Sequence, residues 1–341
     1  MKKIVIDENI PFLRGVLEPW FEVVYPGNIH AALAHDAEAL LIRTRTRCDE
    51  KLLAGSSVRF IGTATIGFDH IDTVYCHAQG IEIATAAGCN ARAVMQYVGS
   101  ALVHLSRKQG WKPEEKTLGV IGVGHVGSLI VQLAHACGFN VICCDPPKMR
   151  KNPSLGCLSL EELLTQSDIV TCHVPLNKAG IDKTFGMADE RFFNRLKPGS
   201  IFINTSRGEI VDDNALKAAI TNGQLSDVVL DVWNHEPHID PELAAAVTYG
   251  TVHIAGYSIQ GKANGSSMVV QALARKYGIP LTKWYPEGVP GQVTDRPVSW
   301  PMLCETIDNY CNIATEDALL RGHITRFEEL RNNYKYRKEY F

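Results

Sequence analysis

Arg207, Glu236 and His253 are the residues of this chain whose types combine into chemistry. Arg207 lies in Asn204-Thr205-Ser206-Arg207-Gly208, Glu236 in Asp231-Val232-Trp233-Asn234-His235-Glu236-Pro237, and His253 in His253-Ile254-Ala255-Gly256. A guanidinium can clamp a carboxylate by two parallel hydrogen bonds. A histidine titrates near neutrality and can take the proton of a hydroxyl, while a carboxylate orients its ring and stabilises the charged form. Singly, each has an ordinary explanation: a surface ion-pair partner, a solvated loop carboxylate, a satisfied structural histidine. Together they are the set that oxidation of a secondary alcohol requires.

A second group of residues supplies a place for an electron acceptor. The apolar run Leu118-Gly119-Val120-Ile121 ends in Gly122-Val123-Gly124-His125-Val126-Gly127, and a helical pattern starts at once. A lone G-x-G-x-x-G is weak evidence, but a strand before it and a helix after it make it a dinucleotide fingerprint. Gly122 permits the tight turn, Gly124 lets the backbone approach a pyrophosphate, and Gly127 lets the helix pack close on the strand. His125 and Val126 open the helix whose amino end faces the phosphates. Asp145 ends the next apolar run, about 20 residues further on, where an acid recognises a ribose. Its charge accepts hydrogen bonds from a 2′-hydroxyl and repels a 2′-phosphate, so NAD is expected over NADP. Lys148, the first cation after it, is expected to stand clear of the strand end.

The elements that must position these residues alternate between strand and helix, as in a parallel sheet with helices on its faces. Strand-like runs are expected at 3–6, 21–25, 39–42, 59–63 and 81–84. A long helix from residue 91 to about 109 leads out of this unit. Strands then follow at 117–122, 140–145, 169–173, 200–204, 228–231 and 251–253, with helices near 126–137, 159–166, 189–195 and 213–222. A helix near 262–277 should return the chain to the first unit. The fold class expected is therefore α/β, with two Rossmann-like doubly wound parallel-sheet domains, the first discontinuous. Residues 1–90 with 257–279 would form the substrate domain and 91–256 the NAD domain. Residues 280–341 would form a small dimerisation region with helices at about 302–321 and 325–340, the plainer alternative being an appendage packed on the body.

Composition excludes several other classes. The formal charge of −3 and the lack of basic runs give no sign of nucleic-acid or membrane binding. The early Asp7 and Glu8 interrupt any signal-peptide pattern, and no apolar run approaches the roughly 18 residues needed to span a bilayer. The 10 cysteines have no regular framework and read as free thiols of a cytoplasmic protein. The histidines lack ligand spacing, so no metal is expected.

These motifs, in this order, resemble the D-isomer-specific 2-hydroxy acid dehydrogenases over residues 40 to 275. The resemblance implies that His253 is the acid/base, Glu236 its partner and Arg207 the clamp on the substrate carboxylate. It implies NAD contacts from Asp145, the turn Thr205, Ser206 and Arg207, then Asp231 toward the nicotinamide, and Gly256. The loops Gly62-Thr63-Ala64-Thr65-Ile66-Gly67, Gly88-Cys89-Asn90-Ala91 and Gly256-Tyr257-Ser258, with the tail 327–334, resemble one branch of the family. That branch oxidises a four-carbon 2-hydroxy acid phosphorylated at its far end, in vitamin B6 synthesis, and is homodimeric. Thr44, Thr65 and Tyr257 then match substrate positions. The phosphate end needs cations, for which the candidates are Arg43 and Arg45 after the strand 39–42, Lys262 after the His253 loop, and Arg331 or Arg337 reaching over from a partner subunit. The domains are expected to close on the substrate. The resemblance also implies a further strand–helix unit after Phe341. Within the family the rivals are enzymes of 3-phosphoglycerate, glyoxylate or hydroxypyruvate; outside enzymes, a NAD-sensing corepressor that keeps the fold.

Overall fold

The computed structural model describes residues 1–291 and 298–340. The chain divides into two compact units, Met1–Asn90 with Ser258–Gln292 and Ala91–Tyr257 with Val293–Phe341. In the first, strands β1 (Lys3–Ile6), β2 (Glu22–Val24), β3 (Ala39–Ile42), β4 (Phe60–Thr63) and β5 (Glu82–Thr85) form a parallel sheet in the order β2-β1-β3-β4-β5. β3 and β4 are buried along their whole length, as apolar runs without alternation require when both faces are covered. One face packs Ile4, Ile6, Leu41 and Phe60 against Val269, Val270 and Leu273 of the helix Ile259–Tyr277. The other packs Val5, Leu40, Ile42 and Ile61 against Leu52, Leu53 and Cys76.

The second unit holds β6 (Thr117–Ile121), β7 (Asn140–Cys144), β8 (Ile169–Cys172), β9 (Ser200–Asn204), β10 (Leu225–Leu230) and β11 (Tyr249–Gly250). Their order is β11-β10-β9-β8-β6-β7, every pairing parallel. One face is covered by Leu163, Phe192, Phe193 and Leu216, the other by Val94, Tyr97, Val98, Leu133 and Ala134. Both units are thus doubly wound α/β sheets, the expected class. In each, strand order reverses beside the first strand, between β1 and β3 and between β6 and β8. Ligands of open α/β sheets bind at the carboxyl ends of strands flanking such a point.

Three local expectations are corrected. The strand expected at 251–253 lies at Tyr249–Gly250. The chain leaves the sheet there because Asp231 takes the N–H groups of Ile254 and Ala255, and His253 adopts a left-handed backbone, φ 59°. The helix expected at 302–321 is two, Trp300–Tyr310 and Ile313–Gly322, since Asn312 caps the second by accepting from the Thr315 N–H. The helix expected at 325–340 stops at Asn332, and the chain beyond is irregular. There the Gln96 side chain donates to the Lys338 carbonyl and accepts from the Tyr340 N–H, replacing helical hydrogen bonds.

Residues 280–341, expected as a region of their own, are shared between the units. Leu281 and Trp284 pack on the first core, whereas Leu303, Ile307, Ile313, Leu320 and Phe327 are buried in the cores of the second. Residues 292–297 and 341 of that stretch lie outside the described residues. The 10 cysteines are free thiols, and burial pushes Cys48, Cys137 and Cys144 up to about 12. Among the described residues no helix is long and apolar enough to cross a membrane, and no cluster of side chains could hold a metal ion.

Candidate active site

Apart from Arg331 and Arg337 in the tail, the second-unit residues singled out above follow the carboxyl ends of strands in one sheet, because every strand there is parallel. After β6, Gly122 takes φ 85°, a left-handed conformation suited to glycine. A Cβ on it would lie 2.7 Å from the His173 carbonyl oxygen, and one on Gly127 would overlap the Gly122 carbonyl. Gly124 differs: a Cβ there would meet nothing within 4 Å. Space is kept open in front of the helix His125–Cys137, whose amino-terminal N–H groups lack helical partners. That is the cradle a pyrophosphate needs, and a side chain would fill it.

Asp145, at the end of β7, accepts from the Val123 N–H at 2.9 Å and from the Lys148 N–H at 3.0 Å. The acid expected to read the ribose therefore also fixes the glycine turn. Lys148 does not stand clear, since its Nζ donates to the Val123 carbonyl. His173, after β8, was not singled out in the sequence. It sits at the reversal point, with ring nitrogens 2.9 Å from Thr171 Oγ1 and 3.4 Å from Thr205 Oγ1, and burial pushes its pKa down to about 3. A neutral imidazole therefore supports the cofactor side of the sheet.

The turn after β9 is tied by another residue the sequence did not single out. The buried Asn204 side chain accepts from the Ser206 N–H (3.0 Å) and Ser206 Oγ (2.9 Å), and donates to the Arg207 carbonyl (2.8 Å). Arg207 Nη1 in turn donates to the Ser206 carbonyl at 2.8 Å. A Cβ on Gly208 would overlap the Trp233 peptide, so the loop bearing Glu236 packs directly on the Arg207 turn. That close approach is why glycine follows the arginine.

Glu236 and His253 form a pair. His253 Nδ1 is 2.8 Å from Glu236 Oε2, and Glu236 Oε1 accepts from the Trp233 N–H at 3.0 Å. Burial alone would raise the Glu236 carboxyl. His253 as charge and donor, then Arg331, and then the Trp233 amide outweigh it and hold the carboxyl below its usual range. An ionised Glu236 only accepts hydrogen bonds, so Nδ1 carries a proton, and in the neutral ring the lone pair is on Nε2. The side chains are 28% and 18% exposed, enough for the ring to meet a ligand. Both His235 and His253 have positive φ, 60° and 59°, conformations that surrounding structure must enforce for non-glycine residues.

Asp231, expected toward the nicotinamide, is 1% exposed. Its carboxylate accepts from Thr251 Oγ1 (2.6 Å) and from the N–H groups of Ile254 and Ala255 (2.8 Å each). Thr251 spends its hydroxyl proton on Asp231, so the Tyr97 hydroxyl 2.6 Å away must donate to Thr251. Gly256 and Tyr257 end this loop, and Tyr257 meets the rings of Tyr334 and Tyr336 at 6.1 and 6.0 Å. Arg331 and Arg337, expected from a partner subunit, belong to the same unit as the Glu236–His253 pair, and of the two Arg331 faces it. Arg331 Nη1 is 3.6 Å from Glu236 Oε2, and Arg337 donates to the Ile254 carbonyl at 2.8 Å.

In the first unit, Thr44 is exposed on the loop after β3, and Thr65 follows β4, its Oγ1 2.7 Å from Thr63 Oγ1. Arg43 is bound through Nε and Nη2 to the Asp7 carboxylate at 2.9 and 3.1 Å, at the reversal between β1 and β3. Its charge is therefore largely balanced within the unit.

A glycine cradle, an acid at the second strand and a His–Glu pair on one sheet edge define a dinucleotide-dependent oxidoreductase. Residues 90–255 match the family model described as "D-isomer specific 2-hydroxyacid dehydrogenase, NAD binding domain". The chain is 44% identical over 340 residues to the erythronate-4-phosphate dehydrogenase of Bacteroides fragilis, covering 99% of this chain and 97% of that protein. It is 41% identical over 348 residues to the protein of the same name from Cronobacter sakazakii, covering 99% and 92%. Among solved structures it resembles D-lactate dehydrogenase from Aquifex aeolicus with NAD and lactic acid bound, at 25% identity and TM-score 0.66, covering 85% of this chain and all of that one. NAD-bound 3-phosphoglycerate dehydrogenase of Entamoeba histolytica shares the fold at TM-score 0.69 and 23% identity, covering 81% and 95%. The chain belongs to the D-isomer specific 2-hydroxyacid dehydrogenase family. It is an NAD-dependent dehydrogenase.

Proposed function

We propose that this enzyme oxidises 4-phospho-D-erythronate to 2-oxo-3-hydroxy-4-phosphobutanoate, a step of pyridoxal 5′-phosphate (vitamin B6) synthesis, as a cytoplasmic homodimer. The observation that carries the chemistry is the 2.8 Å bond between His253 Nδ1 and Glu236, which leaves Nε2 as a base. The substrate rests on the name shared by the near full-length relatives.

In this reading His253 Nε2 takes the C2 hydroxyl proton, and Glu236 stabilises the imidazolium that forms. Arg207 holds the substrate carboxylate and polarises the C2 oxygen. NAD, when bound, accepts the hydride leaving C2. Gly122, Gly124, His125, Val126 and Gly127 receive its pyrophosphate, and Asp145 its ribose. Thr205, Ser206, Arg207 and Gly256 line the nicotinamide side, where Asp231 acts mainly by holding the His253 loop. Thr44, Thr65 and Tyr257 contact substrate, and Arg43, paired with Asp7 through Nε and Nη2, turns its remaining guanidinium N–H groups to the phosphate. The dimer is assigned to the carboxyl-terminal region.

Purified protein with NAD and a panel of 2-hydroxy acids tests this, read as NADH absorbance. The panel should contain 4-phospho-D-erythronate, 3-phosphoglycerate, glycolate, glycerate and lactate. The highest kcat/KM is expected for 4-phospho-D-erythronate; a higher value for 3-phosphoglycerate replaces the substrate but keeps the chemistry. NAD binding without turnover of any acid would falsify the catalytic reading.

A further inference from the structure

Arg337 is 8% exposed and lies beyond the helix Phe327–Asn332, in an irregular stretch where the sequence suggested a continuing helix. Its Nη1 donates to the Ile254 carbonyl at 2.8 Å and to the Tyr334 hydroxyl at 3.2 Å. Its Nη2 donates to the carbonyls of Ala255 and, at 3.0 Å, of Ala93. Ile254 and Ala255 are the residues whose N–H groups the Asp231 carboxylate accepts. Both hydrogen-bonding edges of this dipeptide are thus held by opposite charges, a carboxylate on the amide side and a guanidinium on the carbonyl side.

His253 directly precedes the clamped dipeptide and has φ 59°. Such a backbone is disfavoured for a residue with a Cβ and persists only where its neighbours over-determine it. The Asp231 side alone leaves the carbonyls free to rotate toward the extended conformation expected from sequence. Arg337 removes that freedom. Its planar fork reaches two successive carbonyls at once, which a lysine ammonium does poorly.

The tail is itself held, so the clamp does not hang on a loose end. Gln96, fully buried in the helix Ala91–Gln109, binds the Lys338 carbonyl at 3.0 Å and the Tyr340 N–H at 2.7 Å. Ser100 Oγ on the same helix donates to the Cys311 carbonyl at 2.6 Å. Six residues before Arg337, Arg331 reaches the Glu236 oxygen that also faces His253, and stacks 5.9 Å from the Tyr257 ring centre.

We propose that Arg337 is a positioning residue for the acid/base histidine, so that the tail 333–340 completes the active site of its own chain in addition to any part in assembly. This rests on His253 being the base, and the controls separate the two ideas.

The test compares wild type, Arg337→Lys, Arg337→Met, Arg337→Ala and His253→Gln, recording kcat and KM, NAD affinity by fluorescence titration and Tm. Arg337→Met is expected to lower kcat about 100-fold, the penalty of misplacing a catalytic group by about 1 Å, with NAD affinity unchanged. Arg337→Lys should fall between, and guanidinium ion added to Arg337→Ala should restore part of kcat. If Arg337→Met does not fold, Arg337→Lys carries the decision through its kcat. Wild-type kcat in the folded variants overturns the proposal, as does a loss matched by equal loss of NAD affinity. Turnover by His253→Gln at the wild-type rate overturns instead the assignment of the base.

Discussion

Glu236 receives His253 and Arg331 on one oxygen and the Trp233 amide on the other. These contacts favour the carboxylate, so folded Glu236 binds a proton more weakly than unfolded Glu236. Its stabilisation is therefore complete above the unfolded value of about 4.3 and is lost as pH falls through the lower folded value. Glu236→Gln should flatten the fall of Tm with acid below about pH 4.3, measured by calorimetry against wild type. The same variant should lower kcat on the order of 100-fold, because an amide orients the imidazole but does not balance its charge. A kcat close to wild type would remove Glu236 from the reaction. That a carboxylate pairs with the histidine was legible from residue types alone. That Arg331 joins them was not, because no local pattern relates residue 331 to residue 236.

At the level of elements, the turn between β6 and its helix separates what a glycine does for folding from what it does for binding. At Gly127 a Cβ would overlap the Gly122 carbonyl, whereas at Gly124 it would enter open space. Gly127→Ala should therefore destabilise the fold by about 1–3 kcal/mol, the usual cost of overpacking. Gly124→Ala should leave Tm of the free protein unchanged and weaken NAD tenfold or more, at roughly 1.4 kcal/mol per tenfold. Equal effects of the two on Tm would refute the distinction. Strands β1 to β10 were readable because buried parallel strands are short apolar runs bounded by polar turns. β11 was misplaced because a buried carboxylate and a left-handed histidine, both tertiary facts, end it early. The final helix was overextended for a similar reason: backbone groups beyond Asn332 find partners on Gln96, far away in sequence.

For the whole molecule, the two compact units have separate cores, and the glycine cradle, the His–Glu pair and the tail all belong to the second. NAD should stabilise that unit selectively, by about 2.7 kcal/mol when present at 100 times its Kd. Calorimetry with and without NAD should move the transition of Ala91–Tyr257 and leave that of the first unit less affected. Asp145→Ala should shrink the NAD shift and enlarge the NADP shift, because the charge opposing a 2′-phosphate is gone. Absence of any NAD shift at saturating concentration would contradict the cradle.

The sequence alone was sufficient for the two α/β sheets, the glycine turn and the placing of Asp145 and of the proposed trio Arg207, Glu236 and His253 just after strands of one sheet. Each of these is written in a local signal: apolar runs, glycines at fixed spacing, or reactive side chains just after strands. Only the tertiary structure decided which groups hold that trio in place. Asn204 and Gly208 set the Arg207 turn, Asp231 and Arg337 grip the His253 loop, and Asp7 occupies Arg43. These partners are buried polar groups satisfied across long stretches of chain. Burial makes them specific, since an unpaired polar group there is costly, but it leaves no periodicity or spacing to read beforehand.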